Sequence, residues 1–223
     1  MIIVHHLNNS RSQRILWLLE ELGLAYDIKK YQRDPKTMLA PPELRAVHPL
    51  GKSPIISDGD TVVAESGAII EYLLERDGGA RFVPAPGTPD KLRYTYFLHY
   101  AEGSAMPPLL MKLVFDRIET APMPFFVKPV ARSIARKVKD GFIMPQILQH
   151  LAFLEAELGK STWFAGEEFT AADIQLSFVI EAAASRGGLD GKYPKLNAYI
   201  QRIHARPAYQ RALERGGPFT IGK

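Results

Sequence analysis

The sequence contains no cysteine. Disulfides, thiolate metal sites, a Cys-x-x-Cys redox pair and a cysteine nucleophile are therefore not available to this chain. A reducing compartment is compatible with that absence. Long apolar runs are missing as well: no stretch approaches the roughly 20 apolar residues of a membrane span. None of the six histidines falls in a His-Glu-x-x-His pair, so no metal site is expected. The chain does not open with a basic segment followed by an apolar stretch, so a signal peptide is not expected and a cytoplasmic location is. A large charge of one sign is lacking too. The 28 Lys and Arg against 24 Asp and Glu give a net charge of +4. The surplus is mild and scattered. It slightly favours anionic small molecules or an acidic surface, and without a recognition motif it does not imply a nucleic-acid partner.

The chain that remains has 223 residues, 46% of them hydrophobic and 23% charged. That is an ordinary globular composition, enough for one large or two small domains with a sizeable core. Its first third alternates strands and helices. Ile2-Ile3-Val4-His5-His6-Leu7 reads as a strand, with His5 and His6 on opposite faces. The turn cluster Asn8-Asn9-Ser10 follows. Ile15, Leu18, Leu19 and Leu22 then fall at i, i+3, i+4 and i+7, the stripe of a helix from Ser12 to Leu22, with Gly23 as its stop. Tyr26 to Tyr31 reads as a second strand. A loop, with room for a short helix, fills Asp34 to Val47. Ser53 to Ser57 and Thr61 to Ala64 form a hairpin about Asp58-Gly59-Asp60. A helix from Ser66 to Arg76 ends at Gly78-Gly79. The order β-α-β then β-β-α is the thioredoxin-like arrangement.

Pro84, Pro86, Gly87 and Pro89 mark a linker, and everything after it reads helical. The expected units are residues 1–80, a linker over 81–91 and an all-helical domain over 92–223. Within the last, Leu92 to Met106 reads as one helix stopped by Pro107-Pro108. Ile147, Leu151, Leu154 and Leu158 give a narrow seam. The nearly all-apolar Ala171 to Ala184 reads as central. Leu196, Tyr199, Ile200 and Ile203 give an amphipathic helix broken at Arg206-Pro207, and a short helix over Ala208 to Leu213 follows.

Three motifs stand in order along this frame: His48-Pro49-Leu50-Gly51-Lys52-Ser53-Pro54, Glu65-Ser66-Gly67-Ala68-Ile69 and Phe169-Thr170-Ala171-Ala172-Asp173. With the Pro-rich linker between the second and third, the chain resembles the cytosolic-type glutathione transferases over nearly its whole length. Its start, Asn9-Ser10-Arg11-Ser12, is similar to a fungal and bacterial branch of that family. The resemblance implies a glutathione-binding thioredoxin-like domain joined to an all-helical domain. It implies transfer of the glutathione thiolate to small, apolar electrophiles, a detoxification reaction. No permanent cofactor and no metal are implied. Glutathione serves as co-substrate, and a two-fold homodimer is the family expectation.

For the glutathione site, the resemblance implies a cis bond at Ser53-Pro54 that lets the Ser53 backbone pair with the cysteinyl unit like one more strand. It places the γ-glutamyl carboxylate on Ser66 at a helix start and the ammonium on Glu65. Lys52 would neutralise the glycyl carboxylate, and His48 stands where the family more often has asparagine. Read without the family, Pro54 is a trans proline opening a strand, Ser66 an N-cap, Lys52 a solvated lysine and His48 a structural hydrogen-bonding residue. Thr170 and Asp173 form a capping-box pattern in which each side chain satisfies a backbone N–H.

The reaction needs a thiolate. A thiol of pKa near 8.5 is about 3% ionised at neutral pH, and a two-unit fall, worth about 2.7 kcal/mol, makes about three quarters of it reactive. One hydroxyl donor beside a helix N-terminus is of that size. Ser10 leads the candidates. Asn9, Arg11, Ser12, Asn8 and backbone N–H groups stay open, with N-capping the plain reading of both serines. The second-substrate wall is expected at Tyr96, Tyr100, Met106, Met111 and Phe115, all of which core packing would equally explain. Glu102 is expected opposite the ammonium across a dimer interface. The Pro107–Lys139 stretch reads as a kinked helix pair with a basic face, a lid, or a membrane-surface contact. Two rivals share the fold: glutathione-dependent peroxide or disulfide reduction, and a non-catalytic glutathione-binding protein.

Overall fold

The structure, a computed structural model, describes residues 1–221. Four strands, β1 (Ile2–Leu7), β2 (Tyr26–Tyr31), β3 (Ile55–Asp58) and β4 (Thr61–Ala64), form one sheet in the order β2-β1-β3-β4. β1 runs parallel to β2 and antiparallel to β3, which pairs antiparallel with β4. The parallel pair needs a crossover, and α1 (Ser12–Leu22) supplies it. Alternation along β1 sorts its side chains. Ile2 and Val4 join the main core, while Leu7 packs with Tyr31, Leu44 and Ile55 beneath α2 (Pro42–Val47). The two histidines part as the pleat requires: His5 meets Tyr31 and Ser57, and His6 meets Ser12.

α1 is buried along its first two turns on every side, including Ser12, Gln13 and Arg14. It lies between the sheet and the helical half, so its polar face is covered as well as its apolar stripe. Gly23 closes it at φ 71°, a left-handed geometry that costs glycine little. Its N–H donates to Glu20 O at 3.3 Å, and the Leu24 N–H to Leu19 O at 3.1 Å. α3 (Ser66–Arg76) packs beside α1 under β3 and β4, and a 3-10 turn spans Gly79–Phe82.

The helical half comprises α4 (Pro89–Tyr100), α5 (Met106–Thr120), α6 (Lys128–Val138), α7 (Met144–Glu157), α8 (Ala171–Ala182), α9 (Pro194–His204) and α10 (Pro207–Gly216). α4 begins inside the expected linker, where the Thr88 hydroxyl accepts from the Lys91 N–H at 3.2 Å. Pro107-Pro108 does not stop a helix, contrary to expectation. One wide π turn over Ala101–Ala105 separates α4 from α5, and the two prolines occupy the first turn of α5. The rod continues through this stretch, and the wider π turn accommodates the steric conflict and the N–H groups missing from the prolines. The same device recurs at Lys139–Ile143 before Pro145, and a third π turn spans Ala183–Gly187. The Pro-rich stretch from 107 to 139 is thus the helix pair α5 and α6, with Arg132, Arg136 and Lys137 exposed on α6.

α8 is the central helix, buried on nearly every side. Asp173 Oδ2 accepts from the Thr170 N–H at 2.9 Å, and its Oδ1 from the Phe164 N–H at 3.0 Å. Thr170 and Asp173 form the expected reciprocal capping box, and the Thr170 hydroxyl also donates to Asp173 Oδ2 at 3.0 Å. Burial, opposed by these hydrogen bonds, raises the Asp173 carboxyl to about 6. No helix among the described residues is long and apolar enough to cross a membrane.

Candidate active site

A cavity of about 760 Å³ opens where the strand ends of the first domain face α5 and the end of α8. Asn8, Asn9, Ser10 and Arg11 line it from the β1–α1 turn. Ser10 is 4% exposed, with its hydroxyl 3.2 Å from Ser53 Oγ and 2.7 Å from Ser12 Oγ. Ser12 does not line the cavity. It is fully buried, 2.8 Å from His6 Nδ1, so the structure removes it from direct contact with a ligand and places it one step behind Ser10. Burial first, and Lys30 second, push His6 down to about 4, so the ring is neutral at neutral pH. With its proton on Nδ1, the chain His6 Nδ1–H to Ser12 Oγ–H to Ser10 Oγ runs toward the cavity, and the Ser10 proton is donated at the cavity edge to Ser53 Oγ. The N-cap position of α1 is Arg11, and neither serine caps it as the plain reading required. Ser10 Oγ does accept from the Ser12 N–H at 3.2 Å.

Asn9 is exposed at φ 49°, and its Oδ1 accepts from the Thr220 N–H at 2.9 Å. This ties the C-terminal segment, whose Thr220 and Ile221 line the cavity, to the β1–α1 turn. Arg11 is half-buried over the Phe178 ring and donates to Glu102 Oε1 at 2.8 Å. Fully buried Arg14 donates to the same oxygen at 2.6 Å. Burial would raise the Glu102 pKa, but the two arginines outweigh it and hold the carboxylate ionised. Burial in turn lowers Arg14 to about 10, still cationic at neutral pH. Glu102 lines the cavity of its own chain, where the two arginines hold it.

The second motif group meets the first on the same cavity. Ser53-Pro54 is cis. His48, Lys52, Ser53 and Pro54 all line the space, as do Glu65 and Ser66. Lys52 is exposed and pairs with no carboxylate among the described residues, and the His48 ring makes no hydrogen bond there. Glu65 rather than Ser66 occupies the N-cap position of α3, correcting the capping assignment. It stands at φ 76°, ψ 130°, where a side chain costs roughly 1–3 kcal/mol. An exposed glutamate held there is backbone strain stored at the edge of the cavity.

The residues expected for the second-substrate wall are not all brought to the cavity. Met106 lines the cavity, but Tyr96, Tyr100, Met111 and Phe115 do not. Tyr96 stacks on Tyr100, whose hydroxyl pairs with His150 Nδ1 at 2.6 Å on the far side of α4. Met111 and Phe115 pack against the core. The cavity is lined here by Glu102 of the π turn and, from α5, by Met106, Leu110, Leu113, Arg117 and Thr120 at steps of four and three, with Asp116 beside them. Counting helical phase from Met106 would have found this face of α5. Arg33, Phe178 and Arg186 also line the cavity, and nothing local in the sequence marks them. Among the described residues, no three His, Asp or Glu side chains converge as a metal site needs.

Comparison with known proteins agrees with this geometry. The glutathione S-transferase N-terminal domain profile matches residues 10–76, and the C-terminal domain profile residues 125–207. The chain is 37% identical to glutathione S-transferase 3 of Schizosaccharomyces pombe over 96% of its own length and 88% of that protein's. It is 31% identical to glutathione S-transferase 1 of Saccharomyces cerevisiae over 96% and 95%. A solved glutathione S-transferase from Actinobacillus pleuropneumoniae superposes with a TM-score of 0.82 at 36% identity, over 97% of this chain and 93% of that one. Two domain profiles in the right order, relatives matched nearly end to end and a thioredoxin-like sheet docked on a helical bundle place this chain in the glutathione S-transferase family.

Proposed function

We propose that the cleft holds glutathione extended along Ser53-Pro54, its γ-glutamyl carboxylate at the start of α3 on Ser66, its ammonium against Glu65 and its glycyl carboxylate near Lys52. The thiol then lies beside Ser10. The chain is a glutathione transferase that uses glutathione as co-substrate. In the reaction, the sulfur bonds to an electrophilic carbon and the leaving group, or a displaced π pair, departs from it.

The observation that carries this reading is the buried Ser10 hydroxyl at the cavity edge, backed through Ser12 by a neutral His6. On glutathione binding, the Ser10 O–H turns from Ser53 Oγ to the sulfur. A hydrogen bond to an anion is about twice as strong as one between neutral groups, and the positive end of α1 adds to it. His6 and Ser12 are positioning residues: they fix the direction of the Ser10 proton and touch no substrate. Arg11 is less suited to the role because Glu102 engages its side chain, whereas Asn9, held through its oxygen by the Thr220 N–H, keeps its amide nitrogen as a second candidate donor. The rest of the assignment is a two-fold homodimer acting in the cytoplasm on toxic electrophiles, with α6 carrying a solvated basic face.

Isothermal titration with glutathione, followed by chlorodinitrobenzene and cumene hydroperoxide assays, tests the proposal. Binding with conjugation is the expected result. Binding with hydroperoxide turnover alone would make the protein a peroxidase, completed by a second glutathione. Binding with neither activity would make it a binding protein.

A further inference from the structure

We infer that the electrophile this cleft takes is an organic acid, an apolar body bearing an anionic group, and that Arg33, Arg117 and Arg186 receive that group. The inference rests on the transferase reading and replaces the expectation of a purely apolar second substrate.

The three arginines come from separate elements: the end of β2, the cavity face of α5 and the π turn that follows α8. All three line one cavity, and among the described residues none of them is paired with a carboxylate. Of the acids that line the cavity, Glu65 is assigned above to the glutathione ammonium, and the other two are already engaged. Arg11 and Arg14 share Glu102, while Lys112 and Lys139 hold Asp116. Arg186 Nε is buried with no hydrogen-bond partner, and Arg33 spends one nitrogen on the Met38 carbonyl at 3.1 Å. A buried guanidinium N–H without an acceptor is costly, so a face built this way calls for an acceptor from outside.

The cations also repel one another. Burial foremost, then Arg11 and Arg117, depress the pKa of Arg33; burial and Arg11 do the same for Arg186, where Asp116 opposes them and Arg117 adds to them, so the groups share one field across the cavity. Converging positive charge in a cleft with apolar walls concentrates an anion there. Glutathione does not use up this charge in the assignment above, since Lys52, Ser66 and the start of α3 serve its carboxylates. Met106, Leu110, Leu113 and Phe178 supply the apolar wall against which the body of the acid would lie.

The test compares chlorodinitrobenzoate with its neutral amide. In both, the thiolate sulfur bonds to the ring carbon and chloride leaves with the bonding pair, so no oxidant is needed. Each kcat/KM is divided by the uncatalysed rate with glutathione, which removes the intrinsic reactivity difference. The expected result is a preference for the carboxylate of at least about tenfold, set in KM and shrinking as salt is added. R117Q, at an exposed position, and R186Q should each cut that preference several-fold. A preference at or below unity, or one that neither variant nor salt reduces, overturns the inference. Calorimetry with glutathione alone separates the two layers. Normal binding with no carboxylate preference sinks only the inference, whereas absent binding sinks the transferase reading and the inference with it.

Discussion

Ser10 and Glu65 carry the sharpest expectations at the scale of single residues. Removing the Ser10 hydroxyl takes from the thiolate its one short donor. S10A should raise the pKa of bound glutathione by about one to two units, read from thiolate absorbance, because a charge-assisted hydrogen bond is worth roughly 1.5–3 kcal/mol. An unchanged titration would move the role to Asn9 or Arg11. H6A acts through Ser12 only, so its shift should be in the same direction and smaller, with the KM for glutathione near normal. Glu65 separates strain from binding. E65A keeps a side chain at φ 76° and loses the carboxylate, so it should lower glutathione affinity without a gain in stability. E65G should lose affinity as well but gain about 1 kcal/mol of stability, measured by urea unfolding, since glycine tolerates that backbone. Equal stability of the two variants would contradict the strain argument.

Elements show how far local sequence reaches. The strands, α1 and α3 were legible because alternation and a 3.6-residue stripe are local signals, and β1 placed His5 and His6 on opposite faces for the same reason. The residues that line the cavity from the β3 and α3 ends were singled out only through the family motifs, since spacing alone left Pro54, Ser66 and Lys52 with ordinary explanations. The face of α5 that lines the cavity was not legible, because Pro107-Pro108 reads as a stop unless a π turn precedes it, and a π turn leaves no clear mark in sequence. Arg33 and Arg186 reach the cavity through tertiary contacts that no local pattern encodes. For α8, the start is held by Asp173 through two buried backbone N–H groups. D173A should therefore cost about 2–4 kcal/mol in denaturant unfolding while the thiol pKa stays put. A shifted thiol pKa would give Asp173 a role at the site after all.

Across the whole molecule, α1 belongs to both halves at once. Trp17 lies among Phe169 and Tyr209, Arg206 pairs with Glu21, and Arg211 and Arg215 pair with Glu20. A helix shared this way should make the two halves melt together. Calorimetric and van't Hoff enthalpies should agree, and two resolved transitions would contradict the shared core. Two buried groups then set opposing responses to acid. His6 falls from 6.5 to about 4, so between those values the unfolded chain holds more protons and acidification removes stability, up to about 3 kcal/mol. Asp173 rises from 3.8 to about 6, so in that range the folded protein holds more protons and acidification adds stability. H6Q should therefore flatten the acid loss between pH 6 and pH 4, and D173N should steepen it. Identical slopes for both variants and the parent protein would refute the pairing. The wide turn at Ala101–Ala105 has a last consequence, for comparison between relatives. It adds a residue to what is otherwise one continuous rod and swings everything beyond it to a new bearing. A relative that coils regularly through this stretch must be one residue shorter there to aim the same side chains at the cleft, and an ungapped alignment would pair Leu110 and Arg117 with residues facing elsewhere.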